Sequence, residues 1–174
     1  MKFRNPFFVE NLMQDQPYCS LLLVAPYCDG ACPGCQNSVL NDNDVIDIAV
    51  DDLVKQYRAN PFVDGITVAG LEICLSGDEF VADLLKFIEK AEVPRVTIYS
   101  RFPPDYPKLK AILARIAGLS SVVELYCKTG AFQQNSQSKS IELTRNDSSW
   151  SISLASSNQE FHIVKGDCWS RAAA

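Results

Sequence analysis

Three cysteines fall within eight residues in "YCDGACPGCQN", residues 27–37: Cys28, Cys32 and Cys35, spaced C-x3-C-x2-C. Taken whole, that spacing is neither the C-x2-C pair of a zinc finger nor the lone C-x-x-C of a thioredoxin-like redox site. Thiolates favour zinc and iron–sulfur clusters. A closed structural zinc site takes four protein ligands, whereas three leave a position open. A cubane held by three cysteines leaves one iron without a protein ligand, and that iron can bind a small molecule. The single histidine, His162, lies far along the chain on an expected strand and reads as a surface or edge residue rather than a fourth ligand. A chance cluster or a zinc knuckle competes with the iron–sulfur reading, which the Pro-Gly insert and the preceding apolar run favour.

Regular elements must hold that loop. "CSLLLVA", residues 19–25, is a short apolar run that predicts a buried strand leading into it. In "DVIDIAVDDLVKQYRAN", Val45, Ile48, Ala49, Leu53, Val54 and Tyr57 recur at helical spacing, with Asp42 or Asp44 as N-cap and Pro61 as the stop. "GITVAG" is a strand bounded by glycines, and "GDEFVADLLKFIEKA" an amphipathic helix with Phe80, Leu84, Leu85, Phe87 and Ile88 on or near its buried face. "RVTIYS" is a third strand. "PKLKAILARIAGL" is a helix opened by Pro107 and closed near Gly118, and "SVVELYCKT" a fourth strand. "SIELT", "SWSISLA" and "EFHIV" predict short strands, a hairpin and an edge. Strand and helix alternate about every 30 residues, which argues βαβ units and a parallel sheet. Ligands collect at the C-terminal ends of such strands. The cysteine loop, the "AGLE" turn, "YSRF" and "KTG" each follow a strand, so all four are expected at one mouth.

Composition narrows the function classes. The 174 residues fit one domain, with 47% apolar and 21% charged residues, as in an ordinary globular protein. A net charge of −5 with no long Lys/Arg run argues against a nucleic-acid partner. "LLLVA" is too short to span a bilayer or drive export, so a cytoplasmic protein without a membrane partner is expected. There the seven cysteines stay reduced, and metal binding or catalysis is a better reading than disulfides. Cys19, Cys74, Cys127 and Cys168 stand alone and read as small buried hydrophobes, Trp150, Phe161 and the tyrosines as packing residues. No Gly-x-Gly-x-x-Gly follows a strand, so a Rossmann dinucleotide site is not supported.

"CDGACPGCQN" resembles the cluster motif of radical S-adenosylmethionine enzymes and, more narrowly, of the small activases of anaerobic ribonucleotide reductase, where C-x3-C-P-G-C-x-N is typical. "GITVAGLE" stands where that family has a strand ending in a Gly-Gly-Glu-Pro turn, and "TGAF" and "SSNQ" resemble its late segments. The resemblance runs from about Tyr18 to Phe161. It implies an α/β fold: a partial, open βα barrel of mainly parallel strands with short β elements at the C-terminus, as one domain over residues 1–174. It also implies a [4Fe–4S] cluster on Cys28, Cys32 and Cys35, with S-adenosylmethionine on the fourth iron. Reductive cleavage would give a 5′-deoxyadenosyl radical that takes hydrogen from a glycine of a larger glycyl-radical enzyme, with flavodoxin or ferredoxin as electron donor. Gly70 and Glu72 match the turn that hydrogen-bonds the methionine amino group. Ser100 and Lys128 stand where other strand ends touch the cofactor's ribose or carboxylate.

The chain departs from the family at Ala69, Leu71 and Ile73 in that turn. Leu71 suits it if φ stays negative and is costly if φ must be positive. Two other readings stay open: a radical enzyme acting on a small molecule or another peptide, and a non-catalytic cluster- or zinc-bearing binding module.

Overall fold

In the computed structural model, residues 1–4, 9–12, 16–145, 148–166 and 170–171 are described. They form strands β1 (Lys2–Arg4), β2 (Val9–Leu12), β3 (Cys19–Val24), β4 (Val45–Asp47), β5 (Gly65–Ala69), β6 (Arg95–Ser100) and β7 (Glu124–Thr129), followed by β8 (Lys139–Arg145), β9 (Ser148–Leu154), β10 (Glu160–Lys165) and β11 (Ser170–Arg171). The helices are α1 (Val50–Ala59), α2 (Asp78–Ala91) and α3 (Pro107–Ala117). Six strands make one sheet in the order β10-β7-β6-β5-β3-β2. The four central strands run parallel, while β10 and β2 pair antiparallel at the two edges. The sheet is open: its edge strands do not pair with each other.

Alternation along each strand sorts side chains to two faces. Leu21, Leu23, Ile66, Val68, Val96 and Ile98 join one core cluster with Leu53 of α1, Phe87 of α2 and Ile112 of α3. In α2, Phe80, Leu84, Phe87, Ile88 and Ala91 recur at helical spacing and are all buried. Pro107 opens α3, where a missing N–H costs nothing, and Gly118 caps it. The Lys165 ammonium donates to the carbonyls of Ala117 and Leu119, tying edge strand β10 to the end of that helix.

The opposite sheet face is covered by the β8–β9 hairpin. Leu143, Ile152 and Leu154 pack with Tyr18, Tyr126 and Phe161, and the Tyr126 and Phe161 rings stack at 5.5 Å. Polar side chains on this face are fully buried and paired. Ser20 and Thr67 share a hydrogen bond of 2.8 Å, and Gln16 Nε2 donates to Ser20 Oγ at 3.0 Å. The Tyr18 hydroxyl donates to the Ile66 carbonyl at 3.0 Å and shares a 2.7 Å bond with Thr97.

The expected order of strands and helices is present, including the hairpin and the edge strand. One boundary differs. The predicted first helix does not start at the Asp42–Asp44 caps; it starts at Val50, with Ala49 as N-cap and no side-chain capping bond. Val45–Asp47 instead pairs antiparallel with β1. The β-branched Val45 and Ile46 suit that ladder, which supplies backbone partners that the sequence pattern cannot show.

Tyr18→Phe is expected to lower stability by about 1–3 kcal/mol, because Thr97 and the Ile66 carbonyl then lose a buried partner. A urea titration checks this, as a lower midpoint at unchanged slope.

Candidate metal and cofactor site

The cysteine loop leaves β3 and returns through a 3₁₀ turn at Ser38–Asp42. Gly30 and Gly34 take positive φ values of 69° and 68°, so the chain reverses tightly inside the motif. Asn41 holds its first ligand candidate: Oδ1 accepts from the Cys28 N–H at 3.2 Å, and Nδ2 donates to the Cys28 carbonyl at 2.7 Å. Asp29 Oδ1 accepts from the Ala31 N–H at 3.1 Å. Cys28, Cys32 and Cys35 are free thiols, each partly exposed. Burial pushes the Cys28 thiol above its ordinary value, with a backbone bond from Gly30 and the charge of Arg101 opposing.

The turn after β5 is built on Gly70. The Leu71 N–H donates to the Ala69 carbonyl at 3.0 Å across Gly70, whose φ is 80°. This is the γ-turn of positive central φ, a strained shape that glycine alone adopts cheaply. A Cβ there would also meet Val24 Cγ1 at 2.8 Å. Leu71 is not among the positive-φ residues, so its side chain is tolerated, and it is buried. The conflict foreseen between Leu71 and the turn is therefore absent.

Glu72 is 3% exposed and its carboxylate is fully engaged. Oε1 accepts from the Cys74 N–H at 3.0 Å and from Ser100 Oγ at 2.8 Å, and Oε2 accepts from the Arg101 N–H at 2.8 Å. The Glu72 N–H donates to the Tyr27 carbonyl at 3.0 Å, joining the turn to the cysteine loop. Ser100 is thus bound to Glu72, and its Oγ also accepts from the Phe102 N–H at 3.2 Å. Lys128 places its ammonium 4.8 Å from the Tyr99 ring and donates to the Ser153 carbonyl at 3.3 Å. "TGAF" and "SSNQ" lock together: Gln159 Nε2 donates to the Gly130 carbonyl and Asn158 Nδ2 to that of Ala131.

All seven predicted residues, Cys28, Cys32, Cys35, Gly70, Glu72, Ser100 and Lys128, line one cleft at the C-terminal ends of the parallel strands. Arg101, Tyr99, Phe132 and Gln159 line it too. The cleft continues past Cys35 and Lys128 into a space of about 530 Å³ bounded by Leu22, Val24, Leu40 and the β9 end. Among the described residues, no three His, Cys, Asp or Glu side chains stand close enough to hold a metal ion. Sequence reading missed Arg101, whose guanidinium grips Asp29 in the cysteine loop with two bonds of 2.6 Å. Opposite charges on two loops assigned to one mouth were the available signal.

Of the remaining cysteines, Cys74 and Cys127 are buried as expected, and burial followed by the negative charge nearby pushes each thiol up to about 12. Cys19 is only partly buried, and Cys168 lies outside the described residues. His162 sits on edge strand β10, bonded to Thr129 at 2.9 Å. Tyr27 is exposed, an exception to the tyrosines as packing residues.

Compared with models of known protein families, with curated proteins and with solved structures, the chain matches none.

Gly70→Ala is expected to cost about 1–3 kcal/mol through strain, plus the clash with Val24, whereas Gly77→Ala meets open space and costs less. Denaturation midpoints of the two variants test the order. In the metal-free native chain at pH 8, iodoacetamide should label the three loop cysteines and spare Cys74 and Cys127, whose raised values keep them as neutral thiols. Peptide mass spectrometry reads the pattern, and labelling of all five at equal rates would contradict it.

Proposed function

We propose that this chain is a radical S-adenosylmethionine enzyme of the glycyl-radical activase type. The observation that carries the reading is the gathering of a C-x3-C-x2-C loop, the Gly70–Glu72 turn, Ser100 and Lys128 around one cleft. The donor types suit the group, though the three thiols stand wider apart here than a bound metal would hold them: three free cysteines of one loop line a cleft with Arg101 and Lys128 in an otherwise acidic protein. Cations suit an anionic metal–thiolate centre.

Cys28, Cys32 and Cys35 hold a [4Fe–4S] cluster in this reading. When bound, that cluster supplies one electron to cleave S-adenosylmethionine and so generates a 5′-deoxyadenosyl radical. The chain's own residues position and enclose. The Gly70 γ-turn lets the end of β5 pack close to β3, because a Cβ there would stand 2.8 Å from Val24 Cγ1. Glu72 braces that turn against β6 rather than offering a free carboxylate. Lys128, held over the Tyr99 ring and bonded to the Ser153 carbonyl, lines the cleft and suits a ligand carboxylate or ribose.

The finer fold assignment belongs to the same proposal. The open sheet, with helices on one face and the mouth at its strand ends, is read as a partial βα barrel. A sheet open at its edges suits a macromolecular substrate that completes the enclosure, here a glycine-bearing loop of a larger enzyme such as anaerobic ribonucleotide reductase. Flavodoxin or ferredoxin is the electron donor of the reading, in the cytoplasm. One observation favours a second reading. The 530 Å³ space beside the cleft is of the size that holds a small molecule, so a radical enzyme with a small substrate fits too.

The chain reconstituted anaerobically with iron and sulfide, given dithionite and S-adenosylmethionine, is expected to form 5′-deoxyadenosine above a Cys32→Ala control. Absence of product from a chain carrying its full iron and sulfide, with and without a glycyl-radical enzyme, sinks the catalytic reading. Turnover that needs no protein partner selects the small-molecule substrate.

A further inference from the structure

We infer that Arg101 and Asp29 form a positioning pair that latches the cysteine loop to strand β6 and sets the charge felt by the thiolates. The inference rests on the cluster reading above.

Asp29 lies between Cys28 and Cys32, so whatever holds it holds the ligand loop. Both its oxygens are gripped by the guanidinium fork, Nη1 on Oδ1 and Nη2 on Oδ2, at 2.6 Å each. Oδ1 also accepts from the Ala31 N–H, which makes the carboxylate part of the loop's own turn. On the other side, Arg101 is fixed at both ends. Its backbone N–H donates to Glu72, and its guanidinium lies 4.9 Å from the Phe102 ring, which stacks on Tyr106 at 4.1 Å.

Isolated surface ion pairs contribute little, because two long side chains must be ordered in high dielectric. This pair differs in three ways. It is bidentate, its arginine side chain is only 17% exposed, and the guanidinium is pre-ordered on an aromatic platform. Arg101 also lines the same cleft as Cys28 and Cys32. It therefore has two separable roles, tether and charge. The tether needs both partners. The charge effects oppose: a thiolate-held cluster gains negative charge on reduction, so a nearby cation favours the reduced state and a nearby anion disfavours it.

The test reconstitutes wild type, Asp29→Asn, Arg101→Gln and Arg101→Lys without oxygen. Iron loss to a chelator, the midpoint potential from an EPR-monitored dithionite titration, and the urea midpoint are measured for each. Asp29→Asn and Arg101→Gln are both expected to lose iron about ten to a hundred times faster than wild type, as for other groups that support metal ligands. Their potentials should move in opposite directions, Arg101→Gln to more negative values and Asp29→Asn to less negative ones. Arg101→Lys keeps the charge without the fork, so it should lose iron fast yet hold a potential close to wild type. Opposite shifts with similar urea midpoints separate this role from simple destabilisation, which would move both variants the same way. Shifts of one sign, or iron retention equal to wild type in both variants, overturn the inference. If wild type itself takes up no iron and sulfide, the cluster reading fails instead, and the inference falls with it.

Discussion

The buried carboxylate of Glu72 is the interaction on which the mouth of this protein depends. A carboxylate removed from water is tolerated only with donors in place, and breaking such a set costs several kcal/mol. Its three donors come from its own turn, from Ser100 and from the Arg101 backbone. The end of β5 and the end of β6 are therefore held at one spacing. The same residue's N–H reaches the Tyr27 carbonyl, which adds the end of β3. One side chain and its peptide group thus join three of the four strand ends that surround the cleft.

That arrangement needs strands of equal direction and matched register. In the parallel core, Val24 lies beside Ala69, and Ser100 beside Thr129, so the chain leaves β3, β5, β6 and β7 along the same sheet edge. The opposite faces divide the labour. Helix packing on one face supplies most of the apolar burial, while the face under the β8–β9 hairpin carries the Ser20, Thr67, Thr97 and Tyr18 hydroxyls. A core with that many polar groups holds only because each is paired, which also specifies one register over its neighbours.

Charge is distributed against the overall balance. The chain has a net charge of −5, yet Arg101 and Lys128 both line the cleft, each against an aromatic ring. Aromatic contact lets a cation sit partly out of water without a full desolvation cost. The two cations share the cleft with the Glu72 carboxylate, and Arg101 is paired with Asp29 at its edge.

Local pattern alone determined a good deal. The apolar runs at 19–25 and 95–100, the helical spacing of Phe80, Leu84 and Phe87, and Pro107 before "KLKAIL" placed most elements near their observed bounds, because burial periodicity and capping are local. The alternation of strand and helix brought the cysteine loop, the "AGLE" turn, "YSRF" and "KTG" to one mouth, since parallel topology dictates where loops emerge. What sequence could not carry were pairings between distant residues. The Val45–Asp47 segment became a strand because Lys2–Arg4 lies alongside it, and Arg101 took its place at the site because Asp29 stands opposite, 72 positions away in sequence. Glu72 was visible as an acid two residues past a glycine. Only the tertiary structure decided that its oxygens turn inward to Ser100 and Arg101, because a buried charge takes its orientation from the donors that the fold assembles around it.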